Sequence, residues 1–201
     1  SCGMNWCHVS STPMRRLKRG ATKMNDSSLV PEIEIDIMVE AAGWSSSVPT
    51  ANDIVSEAAE AALRDVAVRE KANAPIELSI LLTDNAAIAE LNLQWRGKTG
   101  PTNVLSFPAE NDGVIPGAPV LLGDVAIALE TLIAEAHEAG IEPRDHLRHL
   151  VVHGVLHLCG YDHENDVDAD RMESREIVIL EVLGVSDPYA AAERRIEEAR
   201  P

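Results

Sequence analysis

Apolar residues alternate with polar ones in some segments of the chain and recur at helical spacing in others. Segments 32–39 and 76–82 carry Ile, Leu or Val at every second position, which is the pattern of a half-buried strand. Segment 104–107 is a short apolar strand that Pro108 stops, and segment 121–128 is another, interrupted by Gly123. The sequence therefore predicts four strands.

Capping residues mark the ends of the helices between these strands. Thr50 with Asp53 resembles a capping box, and Thr83 is the expected cap of the next helix. Gly140 and Gly184 stand where helices commonly end. Helices are predicted over 50–70, 83 to 93 or 95, 129–139, 143–159, 166–183 and 190–199. This order predicts an α+β fold, a small mixed four-stranded sheet packed with about five or six helices.

The helix predicted over 143–159 is unusual because it combines an apolar surface with four histidines. Leu and Val cover most of its circumference, so we expect it to be the buried central helix. Imidazoles on a buried helix need polar partners or a metal ion. These histidines are His146, His149, His153 and His157.

His153, His157 and His163 form the candidate metal site. The first two are four residues apart, which places their Cβ atoms roughly 5–6 Å apart on one helix face. The glycine that ends the helix lets His163 return to the same ion. Three neutral imidazoles favour one zinc ion per chain, although nickel or copper would also bind, and they leave a fourth position for water. His149 is the alternative third ligand, or a group that supports a ligand or faces substrate, and His146 is expected to be partly exposed.

One residue separates this pattern from a protease motif. The three histidines have the metzincin spacing H-E-x-x-H-x-x-G-x-x-H. Gly154 stands where these proteases place the glutamate that acts as general base. The metal geometry is therefore expected to survive, and peptidase chemistry is not.

Net charge narrows the choice of partners. The chain carries −16, of which residues 1–30 contribute +4, so the remainder carries −20. Such a surface binds nucleic acid poorly, and an anionic substrate needs a local positive site such as a bound dication. No segment approaches the ~20 apolar residues of a membrane span. Three scattered cysteines and no recognisable signal peptide favour a reducing cytosol.

The composition also suggests how the chain is divided. Residues 1–30 are polar and basic without an apolar period, and we expect a disordered N-terminal extension. Residues 31–190 are expected to form a single metal-dependent hydrolase domain. Residues 191–201 are expected to be a charged C-terminal tail.

Four blocks, in order, carry a resemblance to a known family. They are WRGKTGPTNVLSFP at 95–108, LGDVAI at 122–127, VHGVLHLCGYDH at 152–163, and the helix and Asp-Pro-Tyr tail of 172–189. Together they resemble the YbeY family of bacterial rRNA-maturation endoribonucleases, over about residues 33–189. The departures are the long N-terminal extension and Cys159, and neither touches the site.

The resemblance implies a zinc-dependent endoribonuclease that is specific for single strands. It further implies action in 16S rRNA 3′-end maturation and late ribosome quality control, and a metzincin-like central helix beside the sheet. The implied partners are rRNA and the small ribosomal subunit with its assembly factors, in the cytoplasm, with no membrane and no DNA. The implied metal ligands are His153, His157 and His163, and the family's functional arginine falls on Arg96.

Arg96 also makes physical sense as a catalytic residue. Phosphodiester cleavage builds negative charge on the non-bridging oxygens, which a guanidinium matches in bidentate fashion. Lys98 would extend this positive patch as a substrate-binding group, and His149 is a further candidate for binding substrate. Asp162, beside a ligand, has two candidate roles, to orient an imidazole or to take a proton from water, and orienting is the expected one. Residues 102–103 are expected to fix the loop through side-chain hydrogen bonds to the backbone.

Two other interpretations remain beside the nuclease. A ribosome-assembly factor with a mainly structural zinc and little intrinsic nuclease activity is favoured by the −20 outside the first 30 residues. A protease is disfavoured by Gly154. The acidic stretch 164–181 is expected to be a solvated helix face, and Asp124 is assigned no chemistry.

Overall fold

The computed structural model describes residues 31–70, 74–110 and 118–190. The predicted extension 1–30, the tail 191–201 and nearly all of the helix predicted over 190–199 lie outside the described residues. None of the described helices combines the length and apolar character needed to cross a membrane. The described part contains strands β1 Ile33–Val39, β2 Ile76–Thr83, β3 Val104–Pro108 and β4 Val120–Ala128, and helices α1 Trp44–Ser47, α2 Ala51–Glu70, α3 Asn85–Arg96, α4 Leu129–Ala139, α5 Pro143–Leu158 and α6 Asp166–Val182.

The four strands form one mixed sheet in the order β1-β2-β4-β3. β1, β2 and β4 are parallel, and β3 pairs antiparallel with β4 at the edge. The α+β prediction of a small mixed four-stranded sheet is confirmed. β4 comes last in sequence but lies between β2 and β3, so the edge strand is held in place by a strand that follows it.

Gly123 creates an irregularity inside β4 without ending the strand. Its φ is +132°, and a Cβ at this position would lie 2.1 Å from the carbonyl oxygen of Phe107 on β3. The register with β2 shifts at this point, because Glu77 pairs with Leu121 and Leu78 pairs with Gly123. The interruption that the sequence suggested is therefore a bulge that only glycine accommodates.

One face of the sheet carries the main core. Helices α2 and α5 pack against it, and α5 contributes a fully buried series of aliphatic side chains. On the opposite face α3 covers a smaller cluster formed by Ile88, Leu105, Ala126 and Ala128. The prediction that α5 is the buried central helix is therefore confirmed by its packing.

The end of β2 differs from the expectation. Thr83 was expected to cap α3, but it is the last residue of β2, and Asp84 is the cap, accepting a hydrogen bond from the backbone N–H of Ala87 at 2.9 Å. The carbonyl of Thr83 instead accepts a hydrogen bond from Trp44 Nε1 at 3.0 Å. Trp44 begins α1, a single turn in a segment where no helix was predicted.

Candidate metal centre

Close contact between α5 and the sheet positions the face of the helix that carries His153 and His157. Pro143 occupies its first turn, where the missing N–H removes no helical hydrogen bond. Further along, the carbonyl of Gly154 accepts a hydrogen bond from Ser106 Oγ of β3 at 3.1 Å. A Cβ at Gly154 would lie 2.8 Å from Val125 Cγ1 of β4. Gly154 therefore faces the sheet, and a side chain at this position would have to displace the side chain of Val125.

The structure brings the three predicted ligands together. The Nε2 atoms of His153 and His157 are 3.1 Å apart, and the ring of His163 lies 5.6 Å and 4.9 Å from their centroids. One ring nitrogen from each histidine lies within 4.8 Å of the others. His163 is exposed while the helical pair is half-buried, so the group is open to solvent on the side of His163.

Hydrogen bonds to the Nδ1 atoms of His153 and His157 determine that their Nε2 atoms face the three-histidine group. His153 Nδ1 lies 2.8 Å from Glu176 Oε1 and His157 Nδ1 lies 3.0 Å from the carbonyl oxygen of Tyr161. Because both partners only accept, each Nδ1 carries the hydrogen and each Nε2 keeps its lone pair. Nitrogens bound to one tetrahedral zinc lie about 3.3 Å apart, given Zn–N bonds of about 2.0–2.1 Å. The observed 3.1 Å between the two Nε2 atoms fits such an ion.

Glu176 is a member of the candidate site that sequence reasoning missed. It lies on α6 with its side chain completely buried, within the acidic stretch that was expected to be a solvated face. That expectation is wrong for this residue. The missed signal is its spacing, since Met172, Glu176, Ile179 and Leu180 form one buried stripe of α6. A carboxylate within such a stripe needs strong partners.

The partners of Glu176 keep it ionised. Burial alone would raise the pKa of its carboxyl, but hydrogen bonds from His149 and His153 outweigh burial and lower the pKa to about 2. His149 Nε2 lies 3.0 Å from Oε2, and the hydroxyl of Tyr189 donates to the same oxygen. His149 therefore supports Glu176 in this structure, while the three-histidine group closes without it.

The environment of His157 favours its neutral form. Burial, followed by the nearby His153 and His163, lowers its pKa to about 4, against smaller raising contributions from Tyr161 and Asp162. A neutral imidazole at pH 7 presents the lone pair that a metal ion requires. The residue is thus prepared for binding before a cation arrives.

Asp162 acts on the backbone of the ligand loop. Its Oδ1 accepts a hydrogen bond from the backbone N–H of His163 at 2.7 Å. The observed contact therefore orients the chain at His163, in contrast to the imidazole that we expected Asp162 to orient. The role of Glu176 at His153 is the one that the sequence had suggested for Asp162.

Arg96 and Lys98 lie apart from the histidines. Arg96 is the last residue of α3, Lys98 follows it, and both side chains are exposed. Among the described residues no hydrogen bond, ion pair or ring contact joins either to the three-histidine group. The loop itself is held by Asn92, whose Nδ2 donates to the carbonyl of Gly100 at 2.9 Å.

The far end of this loop connects with α5. Asn103 Oδ1 accepts from the backbone N–H of Val104 at 2.7 Å, as expected of a loop-fixing residue, and its Nδ2 donates to Glu135 Oε2 at 3.0 Å. The same oxygen lies 2.8 Å from His146 Nε2. His146 is partly exposed, as expected, and burial lowers its pKa. These contacts hold the loop after Arg96 against the N-terminal half of the histidine-bearing helix.

Comparison with known proteins gives matches that share one description. Residues 43–184 match the family model described as Endoribonuclease YbeY. An Endoribonuclease YbeY from Paramagnetospirillum magneticum is 48% identical over 78% of this chain and 96% of its own length. One from Azorhizobium caulinodans is 50% identical over 79% of this chain and 97% of its own length. The solution structure of TM1509 from Thermotoga maritima is 25% identical with a TM-score of 0.46, covering 83% and 96% of the two chains. The chain belongs to the Endoribonuclease YbeY family.

Proposed function

We propose that this protein is a zinc-dependent endoribonuclease specific for single-stranded RNA, acting in 16S rRNA 3′-end maturation and late ribosome quality control. The observation that carries the proposal is the pair of Nε2 lone pairs 3.1 Å apart, each oriented by a hydrogen bond on the opposite ring nitrogen. The exposed His163 completes the group and leaves it accessible to a long polymer. The names of the relatives support RNA as the substrate.

His153, His157 and His163 would hold the metal ion. When bound, zinc lowers the pKa of a coordinated water to about 7, which supplies a nucleophile at neutral pH. The protein's contribution is to keep the imidazoles neutral and aligned, through Glu176 and the carbonyl of Tyr161. Three imidazoles add no charge of their own, so the dication remains an attractive partner for a phosphate.

Arg96 is the proposed catalytic partner for the phosphodiester. A guanidinium aimed at the non-bridging oxygens stabilises the charge that develops on them during cleavage. Residues 94–103 contain Arg96 and Lys98 and no acidic residue, which is unusual in a chain of net charge −16. Hydrogen bonds of Asn92 and Asn103 fix both ends of the loop that carries Arg96 and Lys98. Lys98 would contact a neighbouring phosphate, and His149 is retained as a support for the ligands.

The contact of Gly154 with the sheet argues against peptidase chemistry. The position that carries the general base in metzincins is pressed against Val125. A glutamate could not reach solvent or substrate from there without opening the interface between α5 and β4. The three-histidine group therefore lies on a helix that has no space at position 154 for the glutamate that accepts a proton in the proteases.

The net negative charge of the protein means that RNA binding would need the contribution of a partner. Because the small positive loop lies in an acidic protein, naked RNA is expected to bind weakly, and the small ribosomal subunit with its assembly factors would supply the remaining affinity. The cytoplasm is the compartment where these partners occur.

The deciding experiment measures RNA cleavage by zinc-loaded and by chelated protein, on naked rRNA and on ribosomal subunits. We expect cleavage only by the loaded protein, stronger on subunits, and lost in His153→Ala, His157→Ala and His163→Ala. Cleavage that persists without metal would refute the proposed mechanism. Tight binding to subunits by a loaded protein that cleaves neither substrate would favour the ribosome-assembly factor with a structural zinc.

A further inference from the structure

Two groups of possible metal ligands overlap in this structure and share His153. The first is His153, His157 and His163, and the second is His149, His153 and Glu176. In each group the ligand atoms lie within 4.8 Å of one another. The buried carboxylate of Glu176 can therefore either support the first group by accepting a hydrogen bond or bind a metal ion as part of the second group.

The proton on His153 makes the two groups mutually exclusive. A neutral imidazole has one N–H and one lone pair. In the observed arrangement Nδ1–H donates to Glu176, and the lone pair on Nε2 faces His157. Binding a cation in the second group would require the lone pair on Nδ1, and the first group would then lose a ligand. The hydrogen bonds of Glu176 thus decide which group is functional.

Tyr189 completes the set of donors around Glu176. Its hydroxyl donates to Oε2, which also lies 3.0 Å from His149 Nε2, while Oε1 lies 2.8 Å from His153 Nδ1. The ring of Tyr189 also packs edge-on against His149, with centroids 5.7 Å apart. Three donors therefore converge on one carboxylate that is closed off from solvent.

A turn after α6 delivers this tyrosine. α6 ends at Val182, and seven residues later the backbone N–H of Tyr189 donates to Asp187 Oδ1 at 2.8 Å. From this turn the phenol reaches Glu176 of α6 and packs against His149 of α5. A residue distant in sequence from the three ligands thus reaches their support.

We propose that Tyr189 is a positioning residue that keeps Glu176 a hydrogen-bond acceptor and thereby directs the metal ion to the three-histidine group. The inference rests on the metal site of the proposed function. Without the hydroxyl, Oε2 of Glu176 has an unused lone pair beside His149, and the second group becomes a competing site. Tyr189 acts through Glu176 and need not touch the metal ion or RNA.

The test compares metal affinity in a background where the first group is damaged. Dissociation constants for Zn²⁺ and Co²⁺ are measured by chelator competition in His163→Ala and in His163→Ala/Tyr189→Phe. We expect the added Tyr189→Phe to tighten binding by about tenfold, the low end of what partners of metal ligands contribute. A merely structural role of Tyr189 would have the opposite sign, because loosening the fold weakens binding. Adding His149→Ala should abolish the gain.

A hydroxyl outside the site provides the control. Ser46 Oγ donates to the carbonyl of Gly43, so Ser46→Ala should leave the affinity of the His163→Ala protein within about twofold. If Tyr189→Phe prevents folding, as judged by circular dichroism, Asp187→Ala replaces it, because it removes the turn that delivers the phenol. We expect the same tightening.

The outcomes separate this inference from the proposed function. Equal or weaker binding in the double variant, with the wild-type protein binding one ion, would overturn the role of Tyr189 and leave the three-histidine site intact. Absence of metal binding in the wild-type protein would overturn the site and the proposed function together. Loss of RNA cleavage alone would bear only on the proposed function, because the affinity measurements contain no RNA.

Discussion

The contact between Gly154 and β4 can be tested by adding one methyl group. Gly154→Ala places a Cβ 2.8 Å from Val125 Cγ1 and 3.3 Å from Ser106 Oγ. Val125 is completely buried in β4, which is an inner strand, so it has little room to retreat. The substitution therefore sets a favourable helix propensity against an unfavourable contact.

The two effects have opposite signs and known sizes. Replacing glycine by alanine within a helix stabilises it by about 1 kcal/mol. Forcing an extra methyl into a packed core costs about 1–3 kcal/mol. We therefore expect Gly154→Ala to lower the free energy of unfolding by about 0–2 kcal/mol, where an open helix position would raise it by about 1 kcal/mol.

A double-mutant cycle isolates the contact. Urea unfolding is followed for the wild type, Gly154→Ala, Val125→Ala and the double variant, all with chelator present so that metal binding does not add to stability. In the Val125→Ala background the Cγ atoms are gone, and Gly154→Ala should become stabilising by about 1 kcal/mol. The coupling energy should be about 1–3 kcal/mol.

Two results would refute the reasoning. Stabilisation of the wild type by Gly154→Ala would mean that α5 does not approach β4 as closely as described. A coupling energy near zero would show that Val125 is not the group that limits this position. By the same argument, Gly154→Glu should strongly destabilise the protein and confer no peptidase activity, because the carboxylate would be forced into the core.

The other predictions concern the metal, the arginine and pH. Metal analysis should find about one zinc per chain, lost in His163→Ala and largely kept in His149→Ala; the reverse pattern would make His149 the third ligand. Arg96→Ala should leave zinc content and folding intact while lowering RNA cleavage around 10²-fold, with partial recovery in Arg96→Lys, and unchanged cleavage would remove Arg96 from the mechanism. Naked RNA should bind weakly, with a salt slope of about one or two phosphates, so a steep slope would contradict a small cationic patch. In chelated protein, the folded-state pKa of His157 of about 4, below its usual 6.5, makes the unfolded state bind more protons between these values. Stability should therefore be full above pH 6.5 and fall as pH drops toward 4, by up to about 1.4 kcal/mol per unit, and a flat profile over this range would contradict the burial of His157.

Local patterns in the sequence were enough to predict the three-histidine group. The spacing of His153 and His157 is a helical repeat. The glycine turn before His163 brings this residue back toward the other two histidines. Strand alternation likewise identified the sheet, because one face of each strand is buried against helices. These features depend on neighbours in sequence, which a pattern records directly.

The features that the sequence did not reveal depend on tertiary packing. Glu176 looks like one more acid in an acidic helix until the core side of α6 is known, although its place between Met172 and Ile179 in a buried stripe was a usable clue. The partnership of Asn103 with Glu135 joins residues 32 positions apart, and no local rule predicts it. Asp84 caps α3 in place of the expected Thr83, because Thr83 is the last residue of β2 and its carbonyl accepts a hydrogen bond from Trp44 Nε1.

The two outer strands of the sheet carry features that disfavour pairing with another sheet. An exposed strand edge offers unpaired backbone groups to another sheet, which is a common route to aggregation. At one edge β1 carries the exposed side chains of Glu34 and Asp36, and at the other β3 is only five residues long and ends in Pro108. Like charges on approaching copies repel, and proline removes a backbone donor that an added strand would need. The acidic side chains of β1 and the proline of β3 thus disfavour pairing between the sheets of separate molecules.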